Sequence, residues 1–200
     1  VIKELYMGGC PKDDGSGYFA RDQYAILYNN SSATIDISDF ALAMVNPYNS
    51  QATNKDYVDG ELFYASEGWI PAGNGLWYFE NNVKLESGKQ IVIAINGAVD
   101  NTITYSQSIN FANSEYYCCY DVEDYNNTSY YPTPSEVIPT EHYLKVYSYG
   151  LGNAWPLSNS SPAFYIVRPQ RQLLRSSLTI RKMRTCTVLI RSEEKSLLNG

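Results

Sequence analysis

The side chains with most chemical potential lie in one aromatic and acidic stretch, Tyr116-Tyr117-Cys118-Cys119-Tyr120-Asp121-Val122-Glu123-Asp124. Within it, Asp121, Glu123 and Asp124 could supply an acid and a base, or oxygen ligands for a hard cation such as calcium. Asp13, Asp14 and Asp22 form a second acidic group. Neither group has the ligand spacing of an EF-hand loop, and a solvated acidic loop is the competing reading at both. His142 is the only histidine. A single histidine excludes most metal-hydrolase and Ser-His triad designs. It could still serve as a general base, but with no serine or cysteine motif beside it the favoured reading is a surface or half-buried hydrogen-bonding residue. No Gly-x-Ser-x-Gly elbow, Walker loop or dinucleotide fingerprint occurs.

Aromatic side chains offer a second chemistry. The chain has 19 tyrosines against 6 phenylalanines, a preference for rings with a polar tip, as at wet interfaces and sugar-binding faces. Trp69, Trp77 and Tyr78, with Tyr57 and Tyr64, form one candidate ligand platform. Tyr125, Tyr130 and Tyr131, beside Asn126 and Asn127, form another. The competing reading places these rings at half-buried strand positions, where aromatics are enriched. Cys10, Cys118, Cys119 and Cys186 are too few and too irregular for a disulfide framework or a zinc module. Neighbouring Cys118 and Cys119 on a strand point to opposite faces, so at most one meets a given partner. Buried free thiols are the simpler expectation. A bridge from Cys10 to this pair is the alternative that would suit an exported protein.

These residues must be positioned by strands. Val1 to Met7 reads as the first, and Asp22 to Ala43 as a hairpin. Tyr24, Ile26 and Tyr28 share one face, with Ile26 in the core. Asn29-Asn30-Ser31-Ser32 supplies the turn, and Ile35 and Ile37 lie on the returning strand. Asn46 to Gly60 is a long polar connection. Trp69-Ile70-Pro71 and Leu76 to Phe79 bracket Ala72-Gly73-Asn74-Gly75, which suggests two short strands or a strand and a turn. Gln90 to Ile95 is a central strand with Ile93 in the core. Ile103 to Tyr105, Tyr116 to Val122, Tyr143 to Tyr147 and Ala163 to Val167 read as further strands. Pro132, Pro134 and Pro139 forbid ladder pairing between Tyr131 and Thr140. Many short strands at turn-marked intervals, without useful helical periodicity before Pro169, indicate an all-β sandwich with long loops.

Several of these landmarks carry a resemblance. Lys3-Glu4-Leu5-Tyr6, then Asp22-Gln23-Tyr24 with Leu27-Tyr28-Asn29-Asn30-Ser31, then the run from Asp36 to Ala43, resemble the lamin-tail-like domains of Bacteroidetes surface lipoproteins, a family without an assigned function. Gly68 to Pro71, Leu85 to Ala94 and Ile109 to Ser114 are similar as well, so the likeness spans residues 1–169. It implies an immunoglobulin-like, antiparallel β-sandwich. It further implies an exported chain at the cell surface, outer membrane or periplasm, held by a lipid anchor outside this sequence. It implies no reaction. The Asn-x-Ser/Thr sites at Asn29, Asn30, Asn126, Asn127 and Asn159 then read as turn sequences.

Composition bounds the rest. Hydrophobic residues at 44% and charged residues at 18% describe a globular chain. No apolar run approaches the ~20 residues that cross a bilayer. A net charge of −6 argues against nonspecific nucleic-acid binding. The charge is divided: residues 1–170 hold 8 basic and 19 acidic side chains, while 171–200 hold 7 basic and 2 acidic ones and no tyrosine. Residues 170–200 are therefore a compositionally distinct basic tail. It reads as a strand pair completing the sandwich, as a divergent tail packed on an acidic body, or as the product of a reading-frame error. In the first case Leu178, Ile180, Val188 and Ile190 are buried. The functional expectation is a non-catalytic binding or assembly module with a glycan or a surface protein as partner. The alternatives are a protein–protein adaptor and a carboxylate-dependent hydrolase.

Overall fold

A computed structural model describes residues 1–45, 57–62, 69–148, 152–155, 163–168 and 188–191; the side chains of 57, 58, 62, 69–72, 74 and 188–191 are outside that description. The strands are β1 (Ile2–Tyr6), β2 (Cys10–Pro11), β3 (Tyr18–Phe19), β4 (Tyr24–Tyr28), β5 (Ile35–Asp36), β6 (Ala41–Val45), β7 (Tyr57–Val58), β8 (Glu61–Leu62), β9 (Trp69–Phe79), β10 (Lys84–Leu85), β11 (Gln90–Ala94), β12 (Tyr117–Cys119), β13 (Tyr143–Ser148), β14 (Ala163–Val167) and β15 (Val188–Arg191). Among the described residues there is no α-helix, only short 3-10 turns at Asn101–Ile103 and Thr140–His142.

The main sheet runs β1-β4-β11-β12-β13-β9-β6-β14, with β15 paired to the first half of β9. Its strands curl into a nearly closed barrel. The expected all-β class holds, but the purely antiparallel sandwich does not. β11 pairs with β12, and β12 with β13, in parallel. Parallel neighbours need long crossovers. Here residues 95–116 and 120–142 provide them; Ala98, Phe111 and Ile138 from these segments cover the outer face of the strands, while Tyr125 and Tyr131 enter the main core. A second apolar cluster results there, of Ala94, Ala98, Phe111, Cys118 and Ile138. The main core lies inside the curl and takes Ala25, Leu27, Leu42, Met44, Trp77, Phe79, Ile91, Ile93, Leu144 and Val146 from five strands.

Several local expectations change with this topology. Asp22 to Ala43 is not a hairpin: β4 pairs with β1 and β11, while β5 pairs with β10. The cause is Asn29, which is buried and donates from Nδ2 to the carbonyls of Ala33 and Leu85, each at 2.8 Å. Its Oδ1 accepts from Ser31 N and Oγ, and the segment swings towards β10. Asp36 then accepts from Ser38 N, and Ser38 Oγ accepts from Val83 N at 2.8 Å, fixing β5 beside β10.

On β4, Tyr24, Ile26 and Tyr28 do share a face, but it is the outer, half-buried one. Ala25 and Leu27 face the core, so Ile26 is not a core residue. Tyrosine hydroxyls need polar partners, and the outer face supplies them: Tyr24 donates to Glu4 and its ring stacks on Tyr6. Ile93 is fully buried as expected.

Trp69 to Phe79 is one long strand rather than two. Gly73 and Gly75 serve close approach, not a turn. A Cβ at Gly73 would come within 2.9 Å of Met44, and one at Gly75 within 2.8 Å of the Tyr125 hydroxyl. The β6–β9 register shifts between Ala43 and Val45, at the same place. Ile103 to Tyr105 is not a strand either. Asp100 accepts from Thr102 N and starts a 3-10 turn there, leaving Ile103 84% exposed.

Cys10, Cys118 and Cys119 are buried and free, so no bridge links them. Cys119 lies in the main core and Cys118 in the outer cluster, on the opposite faces that strand geometry requires. Cys186, Tyr64, Asn159, the long connection at 46–56 and most of the basic tail lie outside the described residues. So does the side chain of Trp69. β15 pairs with β9 at Trp69–Ala72.

Candidate functional site

β12 ends at Cys119, in register with Leu144 of β13, which is in turn opposite Phe79 of β9. β12 and β9 both end at this row while β13 runs through it, and residues of all three chains line a cleft of about 430 Å³. Glu80 and Asn81 follow β9, Tyr120 to Glu123 follow β12, Thr140 and Glu141 precede β13, and Tyr143 and Lys145 project from it. The period-two alternation of β13 turns Leu144 and Val146 inward and leaves Tyr143 and Lys145 at the cleft. The half-buried Tyr120 and Tyr143 rings meet edge to face, with centroids 5.4 Å apart.

Asp121 fixes the wall. It is 5% exposed, and its Oδ2 accepts from the Val146 backbone N–H at 3.1 Å. The carboxylate thus continues the ladder of β13 after β12 has stopped. Its Oδ1 faces Lys145 Nζ at 3.5 Å. Burial works against the Lys145 charge, but Asp121, Glu80 and Glu123 outweigh it, and the ammonium is held above its ordinary pKa. Burial, then the charges of Asp121 and Glu123, raise the Asp124 carboxyl. Burial, Glu80 and Asp121 likewise raise Tyr78, which pairs with Lys145 across the β9–β13 ladder.

The sequence candidates separate here. Asp121 and Glu123 line the cleft and Asp124 is beside them. They do not converge as a cation cage: no group of three or more His, Cys, Asp or Glu among the described residues is placed to hold a metal. Asp121 is turned onto protein partners instead. Asp13 accepts from Ser106, and Asp22 from Ser108 Oγ at 2.6 Å, so both brace the crossover 95–116. Asp14 accepts from Ser16 N within its own loop.

Among the described side chains the aromatic platforms are not formed; those of Tyr57, Tyr64 and Trp69 lie outside the description. Trp77, Tyr125 and Tyr131 are at most 1% exposed and pack together in the main core, with Trp77 5.7 Å from Tyr125 and 5.5 Å from Tyr131. The Tyr131 hydroxyl accepts from Trp155 N, so its polar tip is used inside the barrel. Tyr130 is half-buried under the Arg21 guanidinium, and Tyr78 is half-buried on the outer face of β9. The rings beside the cleft are Tyr120 and Tyr143, which sequence reasoning did not select. Glu80, Asn81, Glu141 and Lys145 were missed as well. Alternation in Tyr143-Leu144-Lys145-Val146 put Tyr143 and Lys145 on one face, but nothing local said which face that was. His142 stacks on Tyr117 at 4.1 Å, and its Nδ1 lies 3.0 Å from the Tyr116 carbonyl, a structural engagement.

No family model matches the chain, and no curated protein does. A solved structure matches with a TM-score of 0.62 over 84% of this chain, at 21% identity. The fold is that of a DUF4876 family protein from Bacteroides thetaiotaomicron. The match covers 42% of the Bacteroides protein, so this chain corresponds to less than half of it. At that identity the likeness concerns the fold alone.

Proposed function

We propose that the chain is a non-catalytic, exported binding module of a bacterial surface lipoprotein, in the lamin-tail-like class, and that its ligand is a glycan held in the cleft beside β12 and β13. The observation that carries this reading is the composition of the cleft. Two half-buried tyrosine rings and several hydrogen-bonding side chains sit around one concavity on a rigid sheet, the usual make-up of a sugar or small-ligand site. The groups best placed for proton transfer are engaged in structure: Asp121 with Val146 and Lys145, and His142 with Tyr116 and Tyr117. Export and surface attachment rest on the likeness of the Leu27 to Ser31 and Asp36 to Ala43 motifs, and the fold shared with a Bacteroides protein agrees with that source. Among the described residues no helix is long and apolar enough to cross a membrane.

A thermal-shift screen against a broad glycan set tests the reading. A ligand that binds only the folded chain stabilises it by about 2.7 kcal/mol at a hundredfold excess over Kd. The expected result is a raised melting temperature with at least one glycan, abolished in Tyr120→Ala and Tyr143→Ala. Shifts that survive both substitutions would remove the cleft from the proposal. The exposed glutamates Glu80, Glu123 and Glu141 favour a carboxylate-dependent hydrolase as the second reading. New reducing ends during the screen, lost in Glu→Gln variants, would decide for it.

A further inference from the structure

We infer that the cleft selects a cationic glycan, one carrying protonated amino sugars; this rests on the binding reading above and names its ligand class. The lining holds four carboxylates, Glu80, Asp121, Glu123 and Glu141, against one ammonium, Lys145. Asp121 and Lys145 face each other, and among the described residues the other three carboxylates form no salt bridge, although the charges of Glu80 and Glu123 reach Lys145. Carboxylates alone would make only a solvated acidic surface. Here they rim a concavity whose wall is a perpendicular pair of tyrosine rings. An ammonium entering it gains charge attraction from the rim and ring-face attraction from Tyr120 or Tyr143, while the sugar ring stacks and its hydroxyls meet Asn81 and Thr140.

The same negative field is already felt by three groups on the surrounding strands and loop. Burial and neighbouring carboxylates together raise Asp124 and Tyr78, whereas at Lys145 burial works downward and the carboxylates outweigh it. A uronic or sulfated glycan would meet that field as repulsion. A volume of about 430 Å³ suits a short sugar segment rather than a folded partner.

Isothermal titration of the full chain with a chitosan tetramer, its fully N-acetylated counterpart and a tetralysine peptide, in mildly acidic buffer, tests the inference. The chitosan tetramer should bind about tenfold more tightly than the acetylated one, and its affinity should fall with added salt. Glu123→Gln and Glu141→Gln should each weaken it about two- to fivefold, as expected for exposed charge pairs, with the melting temperature of the free protein unchanged. Equal affinity for the acetylated tetramer would overturn the charge inference and leave the glycan reading standing. Binding of tetralysine without chitosan would overturn it in favour of a basic peptide. Binding of neither sugar would also overturn it, and the glycan screen would then decide separately whether the broader reading survives.

Discussion

Asn29 Nδ2 donates to the carbonyl oxygen of Leu85 at 2.8 Å, across 56 residues of chain, from a fully buried position. This bond and its companion to Ala33 tie the end of β4 to the β5–β10 pair. Gly88 N also donates to the Asn29 carbonyl, and Asn29 N to that of Lys89, so the entry to β11 is held at the same point. Asn29→Ala should destabilise by about 1–3 kcal/mol, because it leaves the Leu85 carbonyl buried without a donor. Urea denaturation measures the loss. A change within a few tenths of a kcal/mol would show that the turn is held by other bonds.

Trp77 and Ile26 make a paired test of which faces are inside. Trp77→Ala should cost about 3–5 kcal/mol, the usual range for deleting a large buried aromatic, and Ile93→Ala about 2–5 kcal/mol. Ile26→Ala, on the outer face of β4, should cost clearly less than Ile93→Ala. Equal losses at Ile26 and Ile93 in chemical denaturation would mean that the outer face of β4 is as tightly packed as the barrel interior.

Gly75 approaches Tyr125 because it lacks a Cβ. In Gly75→Ala the new methyl would stand 2.8 Å from the Tyr125 hydroxyl and 3.1 Å from the Tyr147 carbonyl. Overpacking of this kind costs about 1–3 kcal/mol. Adding Tyr125→Phe removes the nearer atom and should recover part of the loss. Strict additivity of the two substitutions in a double-mutant cycle would argue that the contact is not what makes glycine necessary.

The thiols set an alkaline limit. Burial pushes Cys118 from its ordinary 9.0 up to about 12, and burial together with the neighbouring Cys118 raises Cys119 well above the ordinary value too. The folded chain therefore keeps these protons where the unfolded chain releases them. The stability they contribute is complete below about pH 9 and is lost as pH rises towards 12. Buried Tyr131 shifts in the same direction and adds to the loss. Melting temperature should fall steadily across that interval. A thiol reagent should leave Cys118 and Cys119 unmodified until the chain unfolds; rapid labelling of either in the native protein at pH 8 would contradict their burial.

Local chemistry determined a good deal of this protein without any tertiary information. Period-two alternation marked the strands at Tyr24–Tyr28 and Tyr143–Ser148, a nearly continuous apolar run marked Gln90–Ala94, Ala163–Val167 was legible as a late strand, and strand geometry alone required Cys118 and Cys119 to part. What adjacency along the chain cannot encode is which face of a strand is inside and which strand is its neighbour. The Tyr24 hydroxyl, bonded to Glu4 on the outer face, goes with Ile26 lying outside, and one buried amide turned an apparent hairpin into two separate pairings. The candidate cleft is of the same kind. Glu80, Asp121, Glu141 and Lys145 belong to different segments, and they share a rim only because β12 and β9 both end in the row of Leu144 while β13 runs on to Ser148. Long-range pairing decides that, through hydrogen bonds and burial that no short window of sequence contains.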